Sequence, residues 1–157
     1  RKGPEVLTVP AVTGRYFNFQ LLDMYTNTFA DLGVLTDHGH GGRYAIVGPG
    51  WHGTLPSGVA RVEAPTPDVW LLGRTEVNGP NDLAATIAIQ HHYVLTALTN
   101  AGSGTTGDPS TLTCTTPSPA PTFFDEVSAD MAADPPLSTD GPLVRAMATA
   151  GIGPGRT

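Results

Sequence analysis

Cysteine is almost absent from the sequence. Cys114 is the only one, so neither an internal disulfide bond nor a metal site built from several cysteines can form. Positive charge is also scarce, with 8 Lys and Arg residues against 14 Asp and Glu residues, a formal net charge of -6 and no basic run. Proteins that bind nucleic acid need clusters of Lys and Arg to neutralise phosphates. The sequence therefore predicts no nucleic-acid partner and no affinity for anionic membrane surfaces.

Long apolar runs are missing as well. No stretch approaches the ~18–20 apolar residues of a membrane-spanning helix, and no hydrophobic segment of a signal peptide is present. Charged residues make up 14% of the chain, so solubility depends on Thr, Ser, Asn and Gly, a composition that favours an extracytoplasmic protein. The chain starts at Arg1 rather than Met, and we interpret it as a processed product or a fragment.

β-Branched and alternating apolar residues predict short strands in the first hundred residues. The first strand is expected at 5–9 and the second at 15–21, and we expect these two to pair as a hairpin. Further strands are predicted at 43–47 and 59–64. Residues 69–72 are apolar on both faces, which predicts a strand at the centre of a sheet.

Helical spacing predicts one packed helix over 81–93 and two short helices near the C-terminus. Between them, 18 of the 24 residues of the segment 99–122 are Thr, Ser, Pro or Gly, a composition typical of a linker. We therefore predict a β-rich domain at 1–98, incomplete at its N-terminus, a linker at 99–122, and a helical tail at 123–157 that leads to a second domain. The fold class is α+β, mainly an antiparallel β sheet or sandwich with one packed helix and a two-helix C-terminal tail.

The second strand carries the main anomaly of the sequence. Phe17, Phe19 and Leu21 alternate on its apolar face, and the same parity places Asp23 on that face. A buried unpaired carboxylate is costly, so Asp23 needs a partner. One interpretation is a structural ion pair with Arg74, which also interrupts an apolar strand. The two side chains must then lie close together.

The other interpretation makes Asp23 part of a working site. It would line a pocket with Tyr25, Asn27 and Gln20, as a carboxylate with a perturbed pKa. The sequence leaves the structural and the functional interpretation open.

Aromatic and polar side chains suggest a ligand surface. Trp51 follows a turn of glycines around a proline, and such an exposed ring can stack on a sugar, although large aromatics more often serve burial. Tyr16, Asn18 and Gln20 alternate on the polar face of the second strand and can hydrogen-bond hydroxyl groups. The candidate ligand-binding residues are Tyr16, Gln20, Asp23, Tyr25, Asn27, Trp51 and Arg74.

The histidines form the candidate metal site. His38 and His40, with Asp37 beside them and His52 after another turn, are residue types that bind zinc. Histidines that a glycine separates in a turn are more often solvated, and no helix-borne histidine pair accompanies them. Nucleophilic and phosphate-binding motifs are also missing. We therefore assign no metal, no cofactor and no catalytic residue.

Four segments of the sequence resemble a known bacterial family. The strings RYFNFQLLDMYTNTFADLG, YAIVGPGWHG, VWLLGRTEVNGPNDLAA and GIGPG, in this order, are similar to the family "domain of unknown function 1254" over about residues 6–98 and the helical tail. The resemblance implies a periplasmic, secreted or envelope-associated protein with a β-rich domain. It also implies a following "domain of unknown function 1214" that resembles a lectin-like jelly roll. No biochemical activity is established for the family.

The chain departs from the family pattern in three places. The opening segment of the family domain is missing before Arg1, and the chain stops at Thr157, where the second domain would begin. His38 and His40 stand where relatives more often carry Thr, Gly and Ala. The resemblance therefore implies no role for these two histidines.

These observations favour a non-catalytic binding or assembly module of a secreted or envelope protein, with a carbohydrate-like ligand as one candidate. The alternative is a hydrolase with Asp23 in its active site. The expected partner is the remainder of the same polypeptide, and a homo-oligomer is the second option.

Overall fold

The computed structural model describes residues 3–98 and 120–156, and these contain two mostly antiparallel sheets and four α-helices. The first sheet has the strand order β5-β4-β1-β7, in which β4 and β5 are parallel, and the second has the order β3-β2-β6. This architecture confirms the α+β class. The strands are β1 (Glu5–Val9), β2 (Phe17–Leu22), β3 (Thr28–Gly33), β4 (Gly42–Val47), β5 (Ala60–Glu63), β6 (Trp70–Thr75) and β7 (Val94–Ala97).

The helices are short. They are α1 (Val34–Asp37), α2 (Leu83–Gln90), α3 (Ala120–Ala133) and α4 (Gly141–Ala148), and one 3-10 turn precedes each of α2 and α4. None of the helices in the described residues is long and apolar enough to cross a membrane. Of the predicted linker 99–122, residues 99–119 lie outside the described part, and its last three residues belong to α3.

The main core lies between the two sheets. Phe17, Phe19 and Leu21 alternate on one face of β2 and are buried there, as their spacing predicts. They contact Leu7 and Val9 of β1, which point from the other sheet into the same cluster. The alternation in β1 and β2 therefore builds the two inner faces of a sandwich.

The opposite face of the first sheet is covered too. Val6, Ala45 and Val47 form a second buried cluster, against which Trp51 and Leu55 pack. Since Val6 and Leu7 are both buried, β1 has apolar contacts on both faces. The strand with two buried faces is therefore β1, which lies between β4 and β7.

The predicted hairpin of the first two strands is wrong. β1 pairs with β4 and β7, whereas β2 pairs with β3 and β6. The connection between them leaves the first sheet after Pro10, and the N–H of the buried Val12 donates to the Gly39 carbonyl at 2.9 Å. β1 and β2 thus lie in different sheets, and their apolar faces meet across the core.

The predicted central position of residues 69–72 is also wrong. Residues 70–75 form β6, an edge strand of the second sheet. Leu71 lies opposite Leu21 and joins the core, whereas Trp70 and Leu72 are 57% and 42% exposed. The apolar residues of this strand thus divide between the core and a solvent-exposed face.

Arg15, two residues before β2, connects the second sheet to the start of α2. Its Nη1 and Nη2 donate to Oδ2 and Oδ1 of Asp82, each at 2.6 Å. Nη1 also donates to the Thr86 hydroxyl at 2.9 Å and to the Glu76 carbonyl. The guanidinium of Arg15 and the N–H of Asn78, at 2.7 Å, hold the pKa of Asp82 well below its usual range.

This ion pair predicts loss of stability in acid. A lowered folded pKa contributes stability that is present above the unfolded value of 3.8 and is lost as the pH falls through the folded value. We expect Asp82→Asn to unfold at a lower temperature than the wild type at pH 7, and to show a smaller further drop between pH 4 and pH 2. Thermal unfolding followed by circular dichroism measures this difference, with Asp125→Asn at an exposed position of α3 as the control. If the unfolding temperatures of Asp82→Asn and the wild type fall by the same amount between pH 4 and pH 2, the stabilising role of the Arg15–Asp82 ion pair is contradicted.

Candidate functional site

Asp23 lies in the turn between β2 and β3, and its side chain is fully buried. Its Oδ1 accepts the backbone N–H groups of Tyr25 and Asn27, both at 2.9 Å. The Asn27 side-chain Nδ2 donates to Oδ2 at 3.0 Å and to Oδ1 at 3.3 Å. Both carboxylate oxygens are therefore engaged within the turn, an arrangement in which an Asp side chain replaces backbone partners.

The predicted ion pair between Asp23 and Arg74 is wrong. Arg74 lies opposite Asn18 in the sheet register, near the other end of β2, and its Nη1 donates to Gln20 Oε1 at 3.0 Å. The pairing register places the Arg74 side chain on the exposed face of the sheet, away from the buried carboxylate. The turn itself, rather than Arg74, supplies the polar partners of Asp23.

Tyr25 connects the same turn to α3. Its hydroxyl donates to the carbonyl oxygen of Asp134 at 2.7 Å, and the Asp134 Oδ1 accepts the N–H of Asp68 at 2.8 Å. Burial raises the pKa of Tyr25, and the nearby Asp134 raises it further. A cavity of about 390 Å³ lies at this junction and is lined by Met24, Tyr25, Asp68 and residues of α3 and its end.

The second sheet presents one face to solvent. We call this surface the outer face, and it contains Asn18, Gln20, Leu22, Thr28, Asp31, Trp70, Leu72 and Arg74. Asn18 Nδ2 donates to Asp31 Oδ1 at 3.0 Å, and Gln20 Nε2 donates to the Thr28 hydroxyl at 2.8 Å. With the Arg74–Gln20 contact, these bonds link polar side chains across all three strands.

Apolar side chains lie beside this polar network. The register places Leu72 next to Gln20 and Trp70 next to Leu22 on the outer face. The outer face therefore combines an exposed indole with amide, carboxylate and guanidinium groups. Of the sequence candidates it includes Gln20 and Arg74.

Trp51 and Tyr16 lie elsewhere. Trp51 packs on the cluster that covers the first sheet, and the Arg61 guanidinium carbon lies 5.2 Å from its ring centroid. Arg61 also donates to the Trp51 carbonyl at 2.6 Å. Tyr16 precedes β2 next to Glu76 and is 42% exposed. The seven candidates thus occupy separate places, and only the turn and the outer face bring several of them together.

The histidine hypothesis gains no geometric support. Across residues 3–98 and 120–156, no three His, Cys, Asp or Glu side chains approach closely enough to hold a metal ion. The Asp37 carboxylate is instead used locally, since it accepts the N–H of Gly39 at 2.8 Å and the hydroxyl of Tyr44 at 3.0 Å. Burial and the hydrogen bond from its hydroxyl to Asp37 raise the pKa of Tyr44 to about 12.

Two further cavities open along the first sheet. One, of about 360 Å³, lies beside Trp51 and Pro49. The other, of about 370 Å³, lies between the two sheets and is lined by Glu5, Ile46 and Leu71 among others. Sequence reasoning missed Glu5, although it has the same parity in β1 as the core residues Leu7 and Val9. It also missed Trp70 as an exposed residue.

Comparison with known proteins identifies the family. The family model described as "Protein of unknown function (DUF1254)" matches residues 1–97. The chain belongs to this family. The DUF1254 match confirms the resemblance seen in the sequence and covers both sheets and α2, whereas α3 and α4 lie beyond it.

A solved structure supports the fold of the DUF1254 chain. The VPA0106 protein from Vibrio parahaemolyticus is similar with a TM-score of 0.73 and 21% sequence identity, over 98% of this chain and 39% of that one. This likeness shows a shared fold, and the chain spans well under half the length of that protein. No protein of curated function matches the sequence.

Proposed function

We propose that this DUF1254 chain is a non-catalytic binding module for a carbohydrate-like ligand, with the outer face of the second sheet as its binding surface. The observation that carries this proposal is the exposed indole of Trp70 beside a cross-strand row of hydrogen-bonding side chains. Sugars present apolar ring faces and ring-edge hydroxyl groups, and the outer face contains a counterpart for each.

The stacking part of the surface is Trp70 with Leu72. Residues two apart on one strand face lie ~7 Å apart, and neighbouring strands are ~4.8 Å apart. An indole that is 57% exposed on such a flat surface is available to the apolar face of a sugar ring. Burial of this exposed aromatic area would supply the main favourable contribution to binding.

The polar part of the surface is held in place before any ligand binds. Gln20 bonds both Thr28 and Arg74, so its amide has a fixed orientation. Side chains that are already ordered lose less conformational entropy on binding. The exposed Asp31 and Arg74 add an acceptor and donors for hydroxyl groups.

The hydrolase alternative finds less support in the geometry. An acid or nucleophile must reach the substrate, whereas both oxygens of Asp23 accept hydrogen bonds within a fully buried turn. The turn assigns Asp23 a structural role instead.

The test of the proposed function is carbohydrate binding by a Trp70 variant. We expect the 157-residue chain to bind linear hexasaccharides of glucose or N-acetylglucosamine on a glycan array, and Trp70→Ala to weaken that binding at least about tenfold in calorimetry. Phe124→Ala is the matched control, because Phe124 is an aromatic of similar exposure on α3. Equal affinities of Trp70→Ala and the wild type, or no binding to any carbohydrate, would refute the proposal.

A second proposed role is assembly with the remainder of a longer polypeptide. It is favoured by exposed apolar side chains on α3 and α4, where Phe123, Phe124 and Leu143 are 49%, 48% and 63% exposed. A second copy of the chain is the other candidate partner, and the following "domain of unknown function 1214" stays a prediction. We further propose a periplasmic, secreted or envelope location, which fractionation of cells that express the whole gene would test.

A further inference from the structure

The cavity between the two sheets has an acid where the strand pattern calls for an apolar residue. Glu5 pairs with Ile46 and Ala97 in the register, and its parity in β1 is that of the buried Leu7 and Val9. Its side chain therefore lies on the inner face of the first sheet. At this end of β1 a cavity of about 370 Å³ lies between the two sheets and is partly open to solvent.

The cavity lining is apolar on both sides. Ile46 and Leu95 belong to the first sheet. Leu71 of β6 and the preceding Val69 line the cavity from the second sheet, and Ala64 and Pro67 complete its wall. Pockets of ~300–1,000 Å³ with apolar walls and few polar groups are typical of small-molecule sites. The size and composition of this cavity fit that class.

Glu5 has no partner in the cavity. Within residues 3–98 and 120–156, no hydrogen bond or ion pair to its carboxylate is found, and burial raises its pKa. This contrasts with Asp23 and Asp82, whose carboxylates are fully engaged. A partly buried carboxylate without a partner costs stability, which is a common signature of a binding residue.

The charges of the lining select the ligand. Asp68 is the second titratable residue among the described residues that line this cavity, and none of these lining residues within 3–98 and 120–156 is Lys or Arg. An anionic ligand would meet like charge in an apolar wall, whereas a cation would supply the partner that Glu5 needs. We propose that this cavity binds a small apolar amine, with its alkyl part between the sheets and its ammonium group on the Glu5 carboxylate.

Three probes with the same alkyl chain test the proposal. We expect hexylamine to bind the 157-residue chain about tenfold more tightly than 1-hexanol in calorimetry, which corresponds to 1.4 kcal/mol, and hexanoate to bind most weakly. Glu5→Gln should remove the preference for the amine and leave the affinity for 1-hexanol unchanged. Glu63→Gln, an exposed glutamate of β5, is the matched control and should keep the wild-type order.

Two further measurements locate the ligand. Hexylamine should shift the methyl NMR signals of Ile46 and Leu71, which line the cavity, and not that of the exposed Leu35. Glu5→Gln should unfold at a higher temperature than the wild type at pH 7. Burial raises the pKa of Glu5 in the folded state, so the ionised carboxylate destabilises the fold at every pH above the pKa of the unfolded chain. No binding of hexylamine, equal binding of hexylamine by Glu5→Gln, or shifts confined to other residues would overturn the proposal.

Discussion

Replacement of Asp23 by alanine is expected to lower the free energy of unfolding by about 3 kcal/mol, because it removes every acceptor that the carboxylate provides in the β2–β3 turn. The backbone N–H groups of Tyr25 and Asn27 would lose their partners in a buried place. The Asn27 amide would lose its contacts as well. Each buried donor without a partner costs ~1–3 kcal/mol, and solvent entry into the turn recovers part of the sum. Urea denaturation followed by tryptophan fluorescence measures the loss.

The sign of this change separates the structural role of Asp23 from a functional one. A carboxylate that serves a site usually costs stability, so its removal would leave the free energy of unfolding unchanged or raise it. Asp23→Asn should be intermediate, since its amide oxygen can accept one N–H while its NH2 group faces the Asn27 amide. Asp31→Ala, at an exposed position of β3, should change the free energy by no more than about 0.5 kcal/mol. A stable Asp23→Ala variant would return Asp23 to the list of site residues.

Replacement of Phe19 by alanine is expected to lower the free energy of unfolding by about 3–5 kcal/mol, the range for large buried aromatics. Phe19 is 5% exposed, and its ring lies edge-on to Tyr93 with a centroid distance of 4.8 Å. On the neighbouring strand, the ring lies against Gly73, where a Cβ would approach to 2.9 Å. The glycine leaves room for the ring, so alanine at position 19 opens a cavity that the backbone cannot easily close.

Chemical denaturation with an exposed aromatic as reference tests the Phe19 assignment. Phe123→Ala on α3 removes the same side chain from a position that is 49% exposed, and we expect a loss below about 1 kcal/mol. Phe19→Leu keeps much of the apolar volume and should fall between the two. If Phe19→Ala and Phe123→Ala have similar effects, the core between the sheets is assigned wrongly.

The alternation of apolar residues predicted five of the seven strands in the described residues, but not their partners. Phe17, Phe19 and Leu21 could be assigned to an inner face because the side-chain period of a strand is local. The pairing of β1 with β4 and β7 depends on contacts far along the chain, which no local pattern encodes. β3 was also missed, because its edge-strand sequence TFADLG has no clear apolar alternation and its residues are partly exposed.

The sequence could predict some of the residues of the candidate site, but not which of them lie next to one another. Gln20 and Arg74 were recognised as candidates, and the register brings them together on the outer face. The sequence predicts that Asp23 needs a partner, but its partners are the backbone N–H groups two and four residues further on, those of Tyr25 and Asn27. Asp23 therefore belongs to the turn after β2, where the alternation of the strand no longer applies. Glu5 does continue the alternation of its strand. It is the first residue of β1, however, and a polar residue at the end of a short strand is not by itself unusual.

The position of β1 between β4 and β7 has a consequence for the synthesis of the protein. Leu7 lies opposite both Tyr44 and Leu95, so β1 acquires its second neighbour only after β7 has left the ribosome. Contacts so distant in sequence slow folding, and an unpaired strand edge can meanwhile join another chain. Among the strands of residues 3–98, β1 and β7 are the paired strands farthest apart in sequence. The synthesis of β7 therefore governs how long one edge of β1 is open to aggregation during translation.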